Sequence, residues 1–401
     1  MGQTCLARSS RIMQFSLLSL MFVVLLQLAS GRELAFVLLL YRHGDRSPID
    51  NYPKGLHNES EWPQGFGQLT TLGMQQQFDL GQYTRKRYAG FLSPTYKRVE
   101  VLVKSTELDR TIMSAGANLA GLFPPAGNQI WNPEILWQPI PVHVVPEAYS
   151  PKLIFPIFDC PRYMELLEET MASRELQAEF QPYEEFLKQL VVDSGYDLNT
   201  LKTLYNSKLW DLQDTLLCEA IHNFTLPEWA TEDVRAKLAD LAILSLASVF
   251  GVYKRVEKAR LQGGLLVRSI VETLADAALN PGERKLLAYS AHDTTIGALQ
   301  MALNTFNERL PPYVSCQIFE LYKEDNRQHT IEMYYRNDTS KEPYQQTLPG
   351  CSFACPVSKF AELVRPVITD DWKRECGMKE MRNGMEHSSQ DGDGIFYLLY
   401  V

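Results

Sequence analysis

The chain has 401 residues, 45% of them apolar, and carries 48 acidic against 39 basic side chains for a formal net charge of −9. That apolar content supports a large core spread over more than one lobe. The acidic balance argues against nucleic acid as a partner and makes any cluster of arginines a local exception.

At the amino terminus Arg8 and Arg11 precede a mostly apolar run, Phe15–Leu28, and then Ala29-Ser30-Gly31. A basic region, an apolar core and a small-residue cleavage site read as a secretory signal peptide over residues 1–31. The run is short for a membrane span, which needs about 20 apolar residues. Loss of Arg8 and Arg11, with no acidic residue beside them, takes the charge from −9 to −11.

Leu34 to Tyr41 is an unbroken apolar run that stops at Arg42-His43-Gly44-Asp45-Arg46-Ser47-Pro48. Eight apolar residues bounded by charge, Gly and Pro predict a strand buried on both faces. In α/β sheets ligands gather at the carboxyl ends of such strands. A histidine flanked by two arginines is therefore delivered to that rim, and guanidinium forks match phosphate oxygens in pairs. The polar stretch Asn51–Gly67 reads as a lid or rim over the site.

A helix is predicted from Thr70 or Thr71 to about Arg87, its last turn basic as the dipole prefers. Val99–Val103 predicts a strand leading to Arg110, and Thr111–Leu122 a small-residue helix stopped by Pro124-Pro125. Trp131–Pro146 is too proline-rich for a helix or a central strand and reads as an extended, aromatic surface segment. Tyr163–Ser173, Pro182–Val192 and Thr231–Arg260 show helical periodicity, the last opened by Thr231-Glu232-Asp233. They predict a helical insertion over 160–260, with Leu261-Gln262-Gly263-Gly264 marking the return to the sheet. Leu266, Ile270 and Leu274 then mark an amphipathic helix. Lys285–Tyr289 is a strand running into His292-Asp293, and Ile331–Tyr335 a late edge strand. Residues 32–159 and 261–376 form the α/β part, and 377–401 a flexible tail.

Cys5 leaves with the leader, and six cysteines remain: Cys160, Cys218, Cys316, Cys351, Cys355 and Cys376. An even number in a secreted chain favours disulfides, with fifteen possible pairings. Cys351 and Cys355 could close a small loop or form half a zinc site, but no second Cys or His cluster lies near. Asn58, Asn223 and Asn337 each open an Asn-x-Ser/Thr sequon, which fits a glycoprotein.

Three predicted strands thus end in phosphate-competent residues. The motif Arg42 to Pro48 resembles the RHGxRxP hallmark of the histidine acid phosphatases, with no departure. The resemblance implies a three-layer α/β fold of phosphoglycerate-mutase type, with a mixed, mostly parallel sheet and a smaller helical lobe. It further implies hydrolysis of phosphate monoesters, with His43 as nucleophile and Asp293 as proton donor. Arg42, Arg46, Arg110 and His292 bind phosphate, and no cofactor or metal is needed. It also implies disulfides Cys160–Cys376, Cys218–Cys316 and Cys351–Cys355, and a homodimer with Trp137 and His143 at the interface. Three arginines neutralise the transition-state charge, and their field keeps the His43 imidazole neutral in acid. An acid optimum follows if Asp293 starts protonated. Some family members carry a membrane anchor; Ile395–Val401 is too short for one, so secretion is expected, with the lysosome as the alternative. A binding glycoprotein that kept the pocket but lost turnover would have lost a motif residue, and none is lost.

Overall fold

The computed structural model describes residues 31–144, 153, 159–203 and 208–378. Residues 1–30 of the expected leader, Pro146 and the tail beyond Met378 lie outside the described residues. An eight-stranded mixed sheet runs in the order β3-β2-β4-β1-β5-β6-β7, with β8 pairing β6. The strands are β1 (Glu33–Arg42), β2 (Val101–Ser105), β3 (His143–Val144), β4 (Leu286–Ala291), β5 (Cys316–Lys323), β6 (His329–Arg336), β7 (Tyr344–Gln346) and β8 (Cys355–Pro356). β1 to β4 run parallel; β5 pairs β1 antiparallel and starts the antiparallel half.

β1 occupies the centre because both of its faces are apolar. Phe36, Leu38 and Leu40 pack with Leu266, Ile270, Ile296 and Leu299 from α5 (Gly263–Leu279) and α6 (Asp293–Leu303). Val37, Leu39 and Tyr41 pack with Leu80, Ala115 and Leu119 from α1 (Thr71–Arg87) and α2 (Asp109–Leu122). The two-residue alternation of a strand thus builds a three-layer α/β/α sandwich. α1 is opened by Thr70, whose side chain accepts from the Gly73 amide, and it ends in Arg85, Lys86 and Arg87.

The region between β3 and α5 is helical and has its own core around Leu187, Leu190, Leu209, Leu212, Leu216, Leu238 and Leu241. It includes α3 (Lys208–Ile221) and α4 (Glu232–Phe250). The disulfide Cys160–Cys376 ties its start to the last turn of the described chain. Among the described residues no single helix is long and apolar enough to cross a membrane.

Several expectations are corrected. The helix predicted over Thr231–Arg260 is two, α4 and Arg255–Leu261, bent by 74°. Tyr253 and Lys254 take left-handed backbone angles at the break, and the buried Lys258 ammonium donates to the Ser248 and Val252 carbonyls that the break frees. Pro182 lies in a 3-10 turn before the helix Glu184–Ser194. The late strand β6 is interior, flanked by β5 on one side and by β7 and β8 on the other. The proline-rich segment ends in a short edge strand, β3, beside β2.

The disulfides Cys160–Cys376 and Cys351–Cys355 are formed, but Cys218 and Cys316 are separate buried thiols. The Cys316 sulfur packs into the core beneath α1 and α2, whereas that of Cys218 lies on α3 against Arg46 and the Tyr313 hydroxyl. The two side chains have different neighbours, so the expected Cys218–Cys316 bond is not made.

Candidate active site

Register decides where the polar residues meet. Tyr41 and Arg42 of β1 pair with Ser290 and Ala291 of β4, and Ser290 pairs with Ser105 of β2. Three neighbouring parallel strands therefore end at one level. They release Arg42-His43 from β1, His292-Asp293 from β4, and Arg110 in the first turn of α2 beyond β2. All six residues expected from the sequence are gathered here, each no more than 6% exposed.

The His43 Nδ1 donates to the Gly44 carbonyl at 2.8 Å, which fixes the tautomer and leaves Nε2 with its lone pair. The ring lies edge-on to His292, centroids 5.7 Å apart. Burial lowers the His43 pKa well below its usual value, and Arg42, Arg110, Arg46 and His292 lower it further. The imidazole is held neutral, as a nucleophile must be. His292 is lowered in the same way, first by burial and then by Arg110, Arg42 and Arg46. Its Nε2 is 3.0 Å from the Thr106 hydroxyl.

Arg42 is fixed on three sides. One Nη meets Asp293 at 2.6 Å, the other donates to the Pro311 carbonyl at 2.8 Å, and the guanidinium carbon stands 4.2 Å from the Tyr313 ring centroid. Asp293 is the first residue of α6, and it also accepts from the Thr294 amide at 2.7 Å. Arg46 forks onto Asp214 of α3 at 2.7 and 2.9 Å. Burial alone would lower Arg46; the Asp214 carboxylate instead holds it well above its usual value. Arg110 is pushed down to about 9 by burial, with Arg46 and Arg42 adding to the push against Asp293 and Asp214.

Arg42 Nε and Arg46 Nε are buried with no hydrogen-bond partner among the described residues. A buried donor left unpaired costs about 1–3 kcal/mol, and an oxyanion supplies the missing acceptors. Crowded guanidiniums and orphaned donors make this pocket a receptor for a phosphate-sized anion, with a neutral imidazole and a carboxyl group beside it. Among the described residues no group of three or more His, Cys, Asp and Glu side chains is placed to hold a metal ion.

Sequence reasoning missed Asp214, His222, Thr106 and Tyr313. Asp214 belongs to a helix that the sequence reading left unassigned, His222 follows directly on its end, and Tyr313 sits in an irregular Pro-Pro-Tyr turn with no periodicity. The expected rim, 51–67, lies against the helical region: Trp62 stacks on Phe224 at 4.7 Å and meets His222 edge-on at 5.1 Å. Trp137 and His143, expected at an interface, lie on the surface near the sheet edge and are absent from this pocket.

The fold and the pocket define a phosphoryl-handling α/β enzyme. Residues 33–336 match the histidine phosphatase superfamily (branch 2), and the chain belongs to that family. It is 50% identical to the human prostatic acid phosphatase over 384 residues, 96% of this chain and 98% of the relative. It is also 50% identical to the lysosomal acid phosphatase of Xenopus laevis over 374 residues, 93% of this chain and 85% of the relative. Among solved structures, a Hafnia alvei phytase in complex with myo-inositol hexakis sulphate superposes with a TM-score of 0.65. At 19% identity over 86% of this chain and 98% of that one, it speaks to the fold alone. The chain is an enzyme of acid phosphatase type, from a family of hydrolases that need no metal.

Proposed function

We propose that this enzyme hydrolyses phosphate monoesters in acid through a phosphohistidine on His43. The observation that carries the reading is the fixed tautomer of a buried, neutral His43 among Arg42, Arg46 and Arg110. In the first step Nε2 forms a bond to phosphorus while the bond to the ester oxygen breaks. Asp293 in its acid form gives the leaving oxygen its proton. In the second step water attacks the phosphohistidine, its proton passes to Asp293, and the N–P bond breaks to release phosphate. The three arginines and His292 bind the equatorial oxygens, where the transition-state charge resides. Aryl and alkyl phosphates, phosphotyrosyl proteins, nucleoside monophosphates and lysophospholipids share this reacting group.

The chain is further proposed to be a secreted glycoprotein, the lysosome being the alternative destination. Asn58 and Asn223 are exposed and Asn337 is partly so, which suits glycan attachment. Residues 160–260 are proposed as an insertion lobe on a catalytic domain of residues 32–159 and 261–376. A homodimer across the β3 edge fits the exposed Leu136, Trp131 and Trp137, which are 81%, 57% and 43% exposed. Hydrolysis of an aryl phosphate followed over about pH 4 to 8, with and without EDTA, tests the catalytic reading. Turnover sustained in acid and indifferent to EDTA is the expected result. Loss of turnover as pH falls through about 6.5, the ordinary histidine value, would count against a nucleophile held neutral.

A further inference from the structure

One face of α3, at Lys208, Asp214, Thr215 and Cys218 and continuing to His222 just beyond the helix, is laid along the loop that follows β1. Lys208 Nζ reaches the Asp50 carboxylate at 3.1 Å and the Thr215 hydroxyl donates to the Asp50 carbonyl at 2.9 Å. His222 Nε2 donates to Asp45 Oδ2 at 2.6 Å, on a carboxylate that also accepts from Thr70. At the middle of this face Asp214 takes both Nη groups of Arg46, one of which also donates to the Ser47 carbonyl at 3.1 Å. Arg46 is fully buried and Asp214 is 4% exposed. Three of the donors on the guanidinium are therefore committed to protein oxygens. What remains is the edge carrying Nε, which is buried and has no partner among the described residues.

We propose that Asp214 is a positioning residue for phosphoryl transfer: it turns Arg46 so that its Nε edge, and not the Nη fork, is presented to the phosphate. The inference rests on Arg46 being a phosphate ligand. Planar bidentate pairing fixes both the rotation and the tilt of a guanidinium, which a single hydrogen bond does not. Asp214 also sets a negative charge behind Arg46, so the pocket holds three guanidiniums against two carboxylates, Asp214 and Asp293. An arginine aimed in advance does not have to reorganise as the transition state forms. The helical region is thereby part of the catalytic apparatus, although it supplies none of the reacting atoms.

The test compares Asp214→Asn with Asp211→Asn, which removes a similarly buried carboxylate one turn earlier on α3 that pairs with Lys208 and not with Arg46. Steady-state kinetics on an aryl phosphate, inhibition by inorganic phosphate and thermal melting are read for each. Asp214→Asn is expected to lose roughly tenfold to a hundredfold in kcat/KM, with weakened phosphate inhibition, while Asp211→Asn stays close to the parent. Should Asp214→Asn fail to fold, Asp214→Glu keeps the charge, pushes the fork away, and carries the same expectation. Unchanged kcat/KM and phosphate inhibition in a folded Asp214 variant would overturn the proposal. So would equal losses in the Asp211 and Asp214 variants that track their melting temperatures. Parent-like phosphate inhibition in Arg46→Lys would instead remove Arg46 as a phosphate ligand, the premise beneath it.

Discussion

The mechanism proposed here sets two competing demands on His43: the ring must be nucleophilic, and it must work in acid, where free imidazole is a cation. Burial and three guanidiniums settle the contest by making the protonated form costly, while Gly44 holds Nδ1 and leaves Nε2 to react. In the proposed mechanism Asp293 has the complementary task of giving up a proton to the leaving group. Replacement by Asn keeps the shape and the helix position but removes that proton. Asp293→Asn is expected to slow alkyl phosphates by about 10²–10⁴ and activated aryl phosphates far less, since a good leaving group departs unassisted. Rate constants across a series of leaving groups check this, and equal slowing of all members would deny Asp293 the role of acid.

At the scale of elements, the phosphate loop and the amino terminus of α1 touch backbone to backbone. A Cβ built on Gly44 would stand 2.2 Å from the Gly73 carbonyl oxygen, with no flexible side chain to yield. Gly44→Ala must therefore push α1 away from the loop, and overpacking of this kind costs about 1–3 kcal/mol or more. A lowered denaturation midpoint together with a loss of turnover larger than the stability change explains is expected; normal activity would show that loop and helix move apart freely. β1, α1, β2 and α2 were legible because their apolar periods are uninterrupted. α3 and β5 were not, because their inward faces carry Asp211, Asp214, Glu219, Gln317 and Glu320, which look like solvent-facing positions. Each of these polar groups is buried, and the partners that satisfy most of them lie far away in the chain. Gln317 donates to Tyr334 and Gln346, and Glu320 accepts from Arg87, Tyr88 and Tyr322. Periodicity cannot reveal a polar core whose partners are non-local. The site residues were legible for the opposite reason: Arg42 ends β1, His43 and His292 follow directly on strands, Arg110 and Asp293 open helices, and Arg46 comes four residues on in the motif that Arg42 starts.

Across the whole molecule the helical region and the sheet are joined by the rim, and that joint contains a titrating group. Glu219 of α3 is 1% exposed, and its Oε2 and the nearby Tyr52 hydroxyl have no partner among the described residues. Burial pushes the Glu219 carboxyl up to about 7, with Glu61 adding to the shift and His57 opposing it. A carboxyl whose folded pKa is raised binds its proton more tightly in the folded state. Its contribution is complete below the unfolded value of about 4.3 and is lost as pH rises through about 7. Glu219→Gln should therefore melt close to the parent at about pH 4 and above it at about pH 8. Melting curves at the two pH values check this, and a constant difference between the proteins would assign the stability of the rim elsewhere.

The central claim is covalent catalysis by His43, and single-turnover trapping tests it most directly. Enzyme mixed with a radiolabelled aryl phosphate and quenched into alkaline denaturant should carry label on His43, stable to alkali and labile to acid. The label should be absent from folded His43→Ala, which should also lack turnover. A parent enzyme that turns over with no trapped label, or a His43→Ala protein that still becomes labelled and active, would contradict the account.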